Sequence, residues 1–216
     1  MDRTIHTKRK RILLVSIFAF VAVLILWGIA FYQTNHLPYQ IPDRIYELGE
    51  SVPLGSNYFI EPDEDPNGYC VQVNRATLLT YQQLFEQYKL DSHSNSGLDE
   101  YGNAKSNYVY DVELTISNEN NTNGYILFGR FLLIDKSLSL FFDGFLQSLV
   151  YPDLEDVGSL KLSPGTTKTL HFFFTPSTGA FQKSPGKVDS MMENGQFSLC
   201  VSEFPTRILI RLSNVS

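Results

Sequence analysis

Residues 12–32 read ILLVSIFAFVAVLILWGIAFY, an uncharged apolar run of 21 residues. As an α-helix rising ~1.5 Å per residue it is roughly 30 Å long, the hydrocarbon thickness of a bilayer. Lys8, Arg9, Lys10 and Arg11 stand directly before it, and no comparable basic block follows. The positive-inside rule then places the N-terminus in the cytoplasm and everything after Tyr32 outside. Trp27, Phe31 and Tyr32 fall at the far end, where aromatic rings favour the headgroup layer. The competing reading is a cleaved signal peptide, because Gly28-Ile29-Ala30 offers small residues at an A-x-A-like site. The run is longer than a usual h-region, and bulky residues crowd that site. Both favour a retained signal-anchor helix.

The next apolar stretch, 125–151, is interrupted by Arg130, Asp135, Lys136 and Asp143. Each would cost roughly 2.5–3.5 kcal/mol at a bilayer centre. That stretch belongs to a water-soluble core. The expected organisation is a basic cytoplasmic tail (1–11), the transmembrane helix (12–32), a short stalk with Pro38 and Pro42 (33–44) and one extracellular domain (45–216). The lipid bilayer is thus one expected partner, through residues 12–32.

Charge bears on what the outer part can bind. The chain holds 17 basic and 23 acidic residues, a net of −6. Residues 1–32 carry five basic side chains against Asp2 alone, so the remainder carries about −10. That excess argues against nucleic acid or anionic lipid as its partner.

Period-2 alternation dominates the domain. In 108–117, Tyr108, Tyr110, Val112, Leu114 and Ile116 share one face, and Val109, Asp111, Glu113, Thr115 and Ser117 the other. NENNTNG (118–124) reads as a turn and Tyr125–Ile134 as the next strand. Tyr69, Val71 and Val73 mark an earlier strand. Residues 168–175, 197–202 and 207–212 mark later ones, the last with Ile208, Ile210 and Leu212 inward. Helix is scarce. YQQLFEQY (81–88) after Thr80 as N-cap is one candidate. Residues 137–151 fit either a helical stripe or a hairpin at Asp143-Gly144, with a short helix or irregular turn favoured. About seven short strands separated by turn signals suggest a mainly β, two-sheet antiparallel sandwich.

Cys70 and Cys200 are the only cysteines. Outside the cell, and on neighbouring strands, they would form a disulfide closing a loop of about 130 residues, worth roughly 4–5 kcal/mol. The alternative is two unpaired thiols. Asp63-Glu64-Asp65-Pro66-Asn67-Gly68 matches the opening of a calcium loop, with Asp63, Asp65 and Asn67 as oxygen ligands. The match then fails, because the twelfth position is Asn74 and Pro66 stiffens the loop. An acidic loop ending in an Asn-Gly turn is the plainer reading, and no other cofactor is expected.

Nucleophile, zincin and phosphate-loop motifs do not occur, so an envelope hydrolase is a remote alternative. His171, inside LHFFF, reads as a satisfied strand histidine, and Asp153, Glu155 and Asp156 as a solvated turn. Phe141, Phe142 and Phe145, with Phe172, Phe173 and Phe174, exceed what one inward face per strand requires. Either a second layer covers the outer rings, or an apolar patch around Phe141, Phe142 and Phe145 is exposed for a partner.

Four motifs in order carry a resemblance: YELGESV (46–52), GYCVQV (68–73), the strand from Tyr110 to Asn118, and SPGT (163–166) before an apolar strand. Over roughly 45–213 the chain resembles membrane-anchored extracellular proteins of Gram-positive bacteria with a telokin-like, immunoglobulin-like domain of unknown function. The resemblance implies an immunoglobulin-like sandwich, surface display and no assigned chemistry. The function expected is a non-enzymatic protein-interaction module of the cell envelope, binding another envelope or membrane protein. The alternative is a small-ligand or calcium-binding accessory of a transporter or sensor.

Overall fold

The computed structural model describes residues 3–36, 41–60, 65–90, 106–154, 156–177 and 185–212. Contacts divide the chain into two units, residues 1–40 and 41–216. The described part of the first is one helix, α1 (Arg3–His36). Within it Leu14–Tyr32 has a mean hydropathy of 2.7 and no buried residue, so it is long and apolar enough to cross a membrane. Trp27 and Phe31, one turn apart, stack at 5.3 Å.

The second unit is mainly β. Its strands are β1 (Asp43–Tyr46), β2 (Val52–Pro53), β3 (Tyr69–Thr80), β4 (Tyr108–Asn118), β5 (Leu132–Ile134), β6 (Ser139–Phe142), β7 (Thr166–Pro176), β8 (Ser198–Ser202) and β9 (Arg207–Arg211). One sheet contains them all in the order β1-β9-β8-β5-β6-β7-β4-β3-β2, antiparallel except for the parallel pair β1–β9. The expected division into two sheets is therefore not drawn by the hydrogen bonds. β1 also begins inside the expected stalk, at Asp43.

The sheet has to curl. β1 and β2 stand at opposite ends of the order, and a flat nine-strand sheet would separate them by ~38 Å. Only six residue steps join Tyr46 to Val52, a reach of about 20 Å. The connection itself docks on β3, with Gly49 N donating to Val73 O at 3.0 Å. The result is nearly a barrel around one core. Val71, Val73, Val112, Leu114, Leu133, Leu140, Phe172, Leu199, Ile208 and Ile210 are all buried in it. Ile208, Ile210 and Leu212 face inward as their alternation requires.

Two short helices cover part of the outer face. α2 (Tyr81–Tyr88) starts at the expected N-cap, Thr80, whose hydroxyl accepts from Gln83 N while Gln83 Oε1 accepts from Thr80 N. This capping box satisfies two donors that a helix start leaves open. α3 (Gly144–Val150) is capped by Asp143, which accepts from Leu146 N at 3.0 Å. The ambiguous 137–151 segment therefore resolves as strand β6 followed by α3, and the hairpin at Asp143-Gly144 does not form. α2 and α3 seal a second apolar cluster of Leu79, Tyr81, Leu84, Val109, Leu146 and Phe173. That is the second layer demanded by the consecutive phenylalanines of β7. A fourth helix, α4 (Pro185–Asn194), buries Val188 and Met192 in the main core.

The strand expected over 125–134 shrinks to β5, preceded by a bridge at Ile126 and a 3-10 turn (Phe128–Arg130). Two glycine backbones approach there, Gly129 N donating to Gly158 O at 2.8 Å. A Cβ on Gly129 would lie 3.0 Å from Gly158 Cα, so the chain leaves the ladder at an approach that a side chain would fit only if the Gly158 backbone gave way slightly.

Candidate functional site

β6 and α3 meet at a tight corner. Alternation along β6 turns Leu140 and Phe142 inward and Phe141 outward. Phe142 packs its ring against Phe128 (5.4 Å), Phe172 and Phe174 (6.4 Å each). Phe141 and Phe145 remain 45% and 53% exposed. The expected patch of Phe141, Phe142 and Phe145 is thereby corrected: Phe142 belongs to the core, because its strand position gives it the opposite face from Phe141.

From Phe141 the register continues an apolar row across the sheet, although its middle is covered rather than exposed. Phe141 lies opposite Leu132, Leu132 opposite Cys200, Cys200 opposite Leu209, and Leu209 opposite Ile45. Directly paired residues share a face. One outward row of apolar side chains therefore crosses β6, β5, β8, β9 and β1. Ile45 ends it at 49% exposure, while Leu209 and Cys200 in the middle are buried.

A polar constellation occupies the outer face of β3, β4 and β7. Asp111, opposite Phe173, reaches diagonally to His171, opposite Glu113. His171 Nδ1 is 2.7 Å from Asp111 Oδ1, and Nε2 is 3.8 Å from Glu113 Oε2. Asp111 Oδ2 accepts from Tyr88 Oη at 2.7 Å and from Gln87 Nε2 at 3.2 Å, both on α2. Asp111 is buried, and its hydrogen bond to His171 raises the imidazole above its ordinary range, against the opposing effect of burial. Burial, followed by the Asp111 bond, pushes the Tyr88 phenol far up. Gln147, fully buried on α3, donates to His171 O at 3.0 Å, while its Oε1 has no partner among the described residues. The reading of His171 as a satisfied strand histidine fits these contacts. Alternation alone puts Asp111 and Glu113 on the face opposite the core-facing residues of their strand, but only the β4–β7 pairing brings them to His171.

Of the calcium-loop residues, Asp63 lies outside the described residues. Asp65 Oδ1 accepts from Asn67 N at 3.4 Å, and the carbonyls of both residues accept from Asn121 Nδ2 at 2.8 and 2.7 Å. Among the described residues no group of three or more His, Cys, Asp or Glu side chains could hold a metal.

Cys70 and Cys200 are both unbonded and buried, which corrects the expected disulfide. Its premise fails, since β3 neighbours β2 and β4 while β8 neighbours β5 and β9. Cys70 Sγ lies 3.7 Å from Glu119 Oε1, and Cys200 Sγ lies 3.3 Å from Ser202 O. Burial raises both thiols, Cys200 to about 12.

An open cleft also lies between the turn after α3 and the stretch entering β7, with Asp153 and Asp156 in its lining. No curated protein and no solved structure matches the chain. Residues 43–208, which run from the first residue of β1 into β9, match the family described as a domain of unknown function (DUF5028), and the chain belongs to that family.

Proposed function

We propose that this chain is a membrane-tethered, non-enzymatic interaction module of the bacterial cell envelope. Its basic tail lies in the cytoplasm, α1 spans the bilayer, and the β domain, an immunoglobulin-like variant, is displayed outside. The observation that carries the reading is the exposure of Phe141 and Phe145 at the corner of β6 and α3, in a domain that packs the three phenylalanines of β7 into two apolar clusters. Exposed aromatic rings gain by burial in a partner's surface, and aromatic anchors dominate binding energy at interfaces. Tethering raises the effective concentration for a neighbour in the same membrane, so a modest contact area suffices. The acidic domain suits a basic partner surface.

In-cell crosslinking of the full-length chain, followed by mass spectrometry of what copurifies, tests this. The expected result is one dominant envelope or membrane protein joined near residues 137–150. The joint substitution Phe141→Ser and Phe145→Ser should abolish its recovery while leaving the fold intact. Undiminished recovery with that variant would overturn the assigned face.

A further inference from the structure

The cleft beside α3 has a volume of about 390 Å³ and a charged lining of Asp153, Asp156, Lys161 and Lys168. The carboxylates come from the turn after α3, and the ammonium groups from the stretch entering β7 and from β7 itself. Its floor is fixed. Leu160 exchanges both backbone hydrogen bonds with Ile126, at 3.0 and 3.1 Å. Leu162 N donates to Tyr69 Oη at 3.0 Å, and Leu162 O accepts from Asn118 Nδ2 at 2.7 Å. A wall held this way needs little ordering when a ligand arrives.

The four charges are not equivalent. Asp156 is engaged by Ser159 Oγ and by Gly158 N at 2.9 Å, and these hydrogen bonds hold its carboxyl below the usual range. The side chains of Asp153, Lys161 and Lys168 have no hydrogen-bond or ion-pair partner among the described residues. A purely anionic ligand would meet two carboxylates here, and a purely cationic one two ammonium groups. Only a ligand with separated charges of both signs finds a complement for each. The volume lies within the roughly 300–1,000 Å³ range of small-molecule sites.

We propose that this cleft binds a small zwitterion of amino-acid or short-peptide size, its carboxylate between Lys161 and Lys168 and its ammonium at Asp153. The site is independent of the Phe141 face, and either can fail without the other.

The test is calorimetric titration of the full-length chain in nanodiscs with four probes: alanyl-alanine, its N-acetyl derivative, its C-terminal amide and inorganic phosphate. Saturable binding of alanyl-alanine is expected, weakening as salt rises. Removing either terminal charge of the probe should weaken it about fivefold, the scale of one exposed ion pair. Lys161→Gln with Lys168→Gln, or Asp153→Asn, should weaken it similarly. These side chains are exposed, so the unliganded unfolding midpoint should not move, which reports that the variants fold. No saturable heat up to millimolar concentration, equal binding of the N-acetyl or amide probe, or phosphate binding as well as the dipeptide would each overturn the proposal.

Discussion

His171 Nδ1 and Asp111 Oδ1 lie 2.7 Å apart on adjacent strands, and Asp111 is buried beneath the last turn of α2. Among the described residues no other cationic group hydrogen-bonds that carboxylate. Arg75 lies on the far side of Glu113, at 3.8 Å from it. The hold of α2 on the sheet, through Tyr88 and Gln87, is thus tied to the charge of an imidazole.

The pH dependence follows in sign. His171 has a raised folded-state pKa, chiefly from its bond to Asp111. The stability that protonation contributes is fully present below the unfolded value of about 6.5 and is lost as pH rises through the higher folded value. Urea unfolding between pH 5 and 9 should show this decline. His171→Gln should cost about 1.5–3 kcal/mol at pH 5.5, the scale of a charge-assisted bond, and much less at pH 9. A variant equally destabilised at both ends would show that packing, not charge, gives His171 its weight.

Phe141 and Phe142 are adjacent in sequence and opposite in consequence. Phe142→Ala should lower unfolding stability by about 2–3 kcal/mol, because its ring packs on Phe128, Phe172 and Phe174. Phe141→Ser should change it by no more than about 0.5 kcal/mol, as expected at an exposed site. Thermal denaturation of the two variants side by side checks the assignment of faces.

The thiols give a third outcome. Both are unbonded, buried and raised in pKa, so neither thiolate nor access is available in the folded domain. Alkylation read by intact mass should modify neither cysteine natively and both after denaturation, with or without reductant. Dithiothreitol should leave the unfolding midpoint unchanged. A mass lower by two hydrogens before reduction would restore the disulfide.

What the sequence made legible was local. The alternation of β4, the inward residues Ile208, Ile210 and Leu212 at and just after β9, and the Thr80 cap can each be read from a few consecutive residues. The α4 helix carries a signal too, in Pro185 at its first position and Val188 and Met192 four apart, but so short an apolar stripe does not stand out among turn residues. Strand order was not legible, because which strands neighbour one another depends on contacts far apart in sequence. That ignorance produced the expected Cys70–Cys200 bond and hid the diagonal approach of Asp111 to His171. The shortened β5 has the same cause, since the Gly129–Gly158 approach cannot be inferred from either segment alone.

The turn of 118–124 is tied down by side-chain to backbone hydrogen bonds, and it yields a sharp stability forecast. Asn121 sits at its centre. Its Oδ1 accepts from Asn123 N at 3.0 Å and from Gly124 N, while its Nδ2 reaches the carbonyls of Asp65 and Asn67. Tyr69 Oη approaches Gly124 O at 3.2 Å and accepts from Leu162 N, joining the turn to the strand below. A Cβ on Gly124 would collide with the Asp65 carbonyl, a backbone atom that no side-chain rotation can clear. Gly124→Ala should therefore cost about 3 kcal/mol or more, the range of forced backbone displacement. Tyr69→Phe, which keeps the ring and removes only the hydroxyl, should cost about 1–3 kcal/mol by leaving buried backbone groups unpaired. Gly165→Ala is the contrast. Open space surrounds its would-be Cβ, so the only penalty is the strain of φ +74°, about 1–2 kcal/mol. Equilibrium unfolding of the three variants should rank Gly124→Ala as the most damaging. If it ranked with Gly165→Ala, the approach of Asp65 to Gly124 would be refuted.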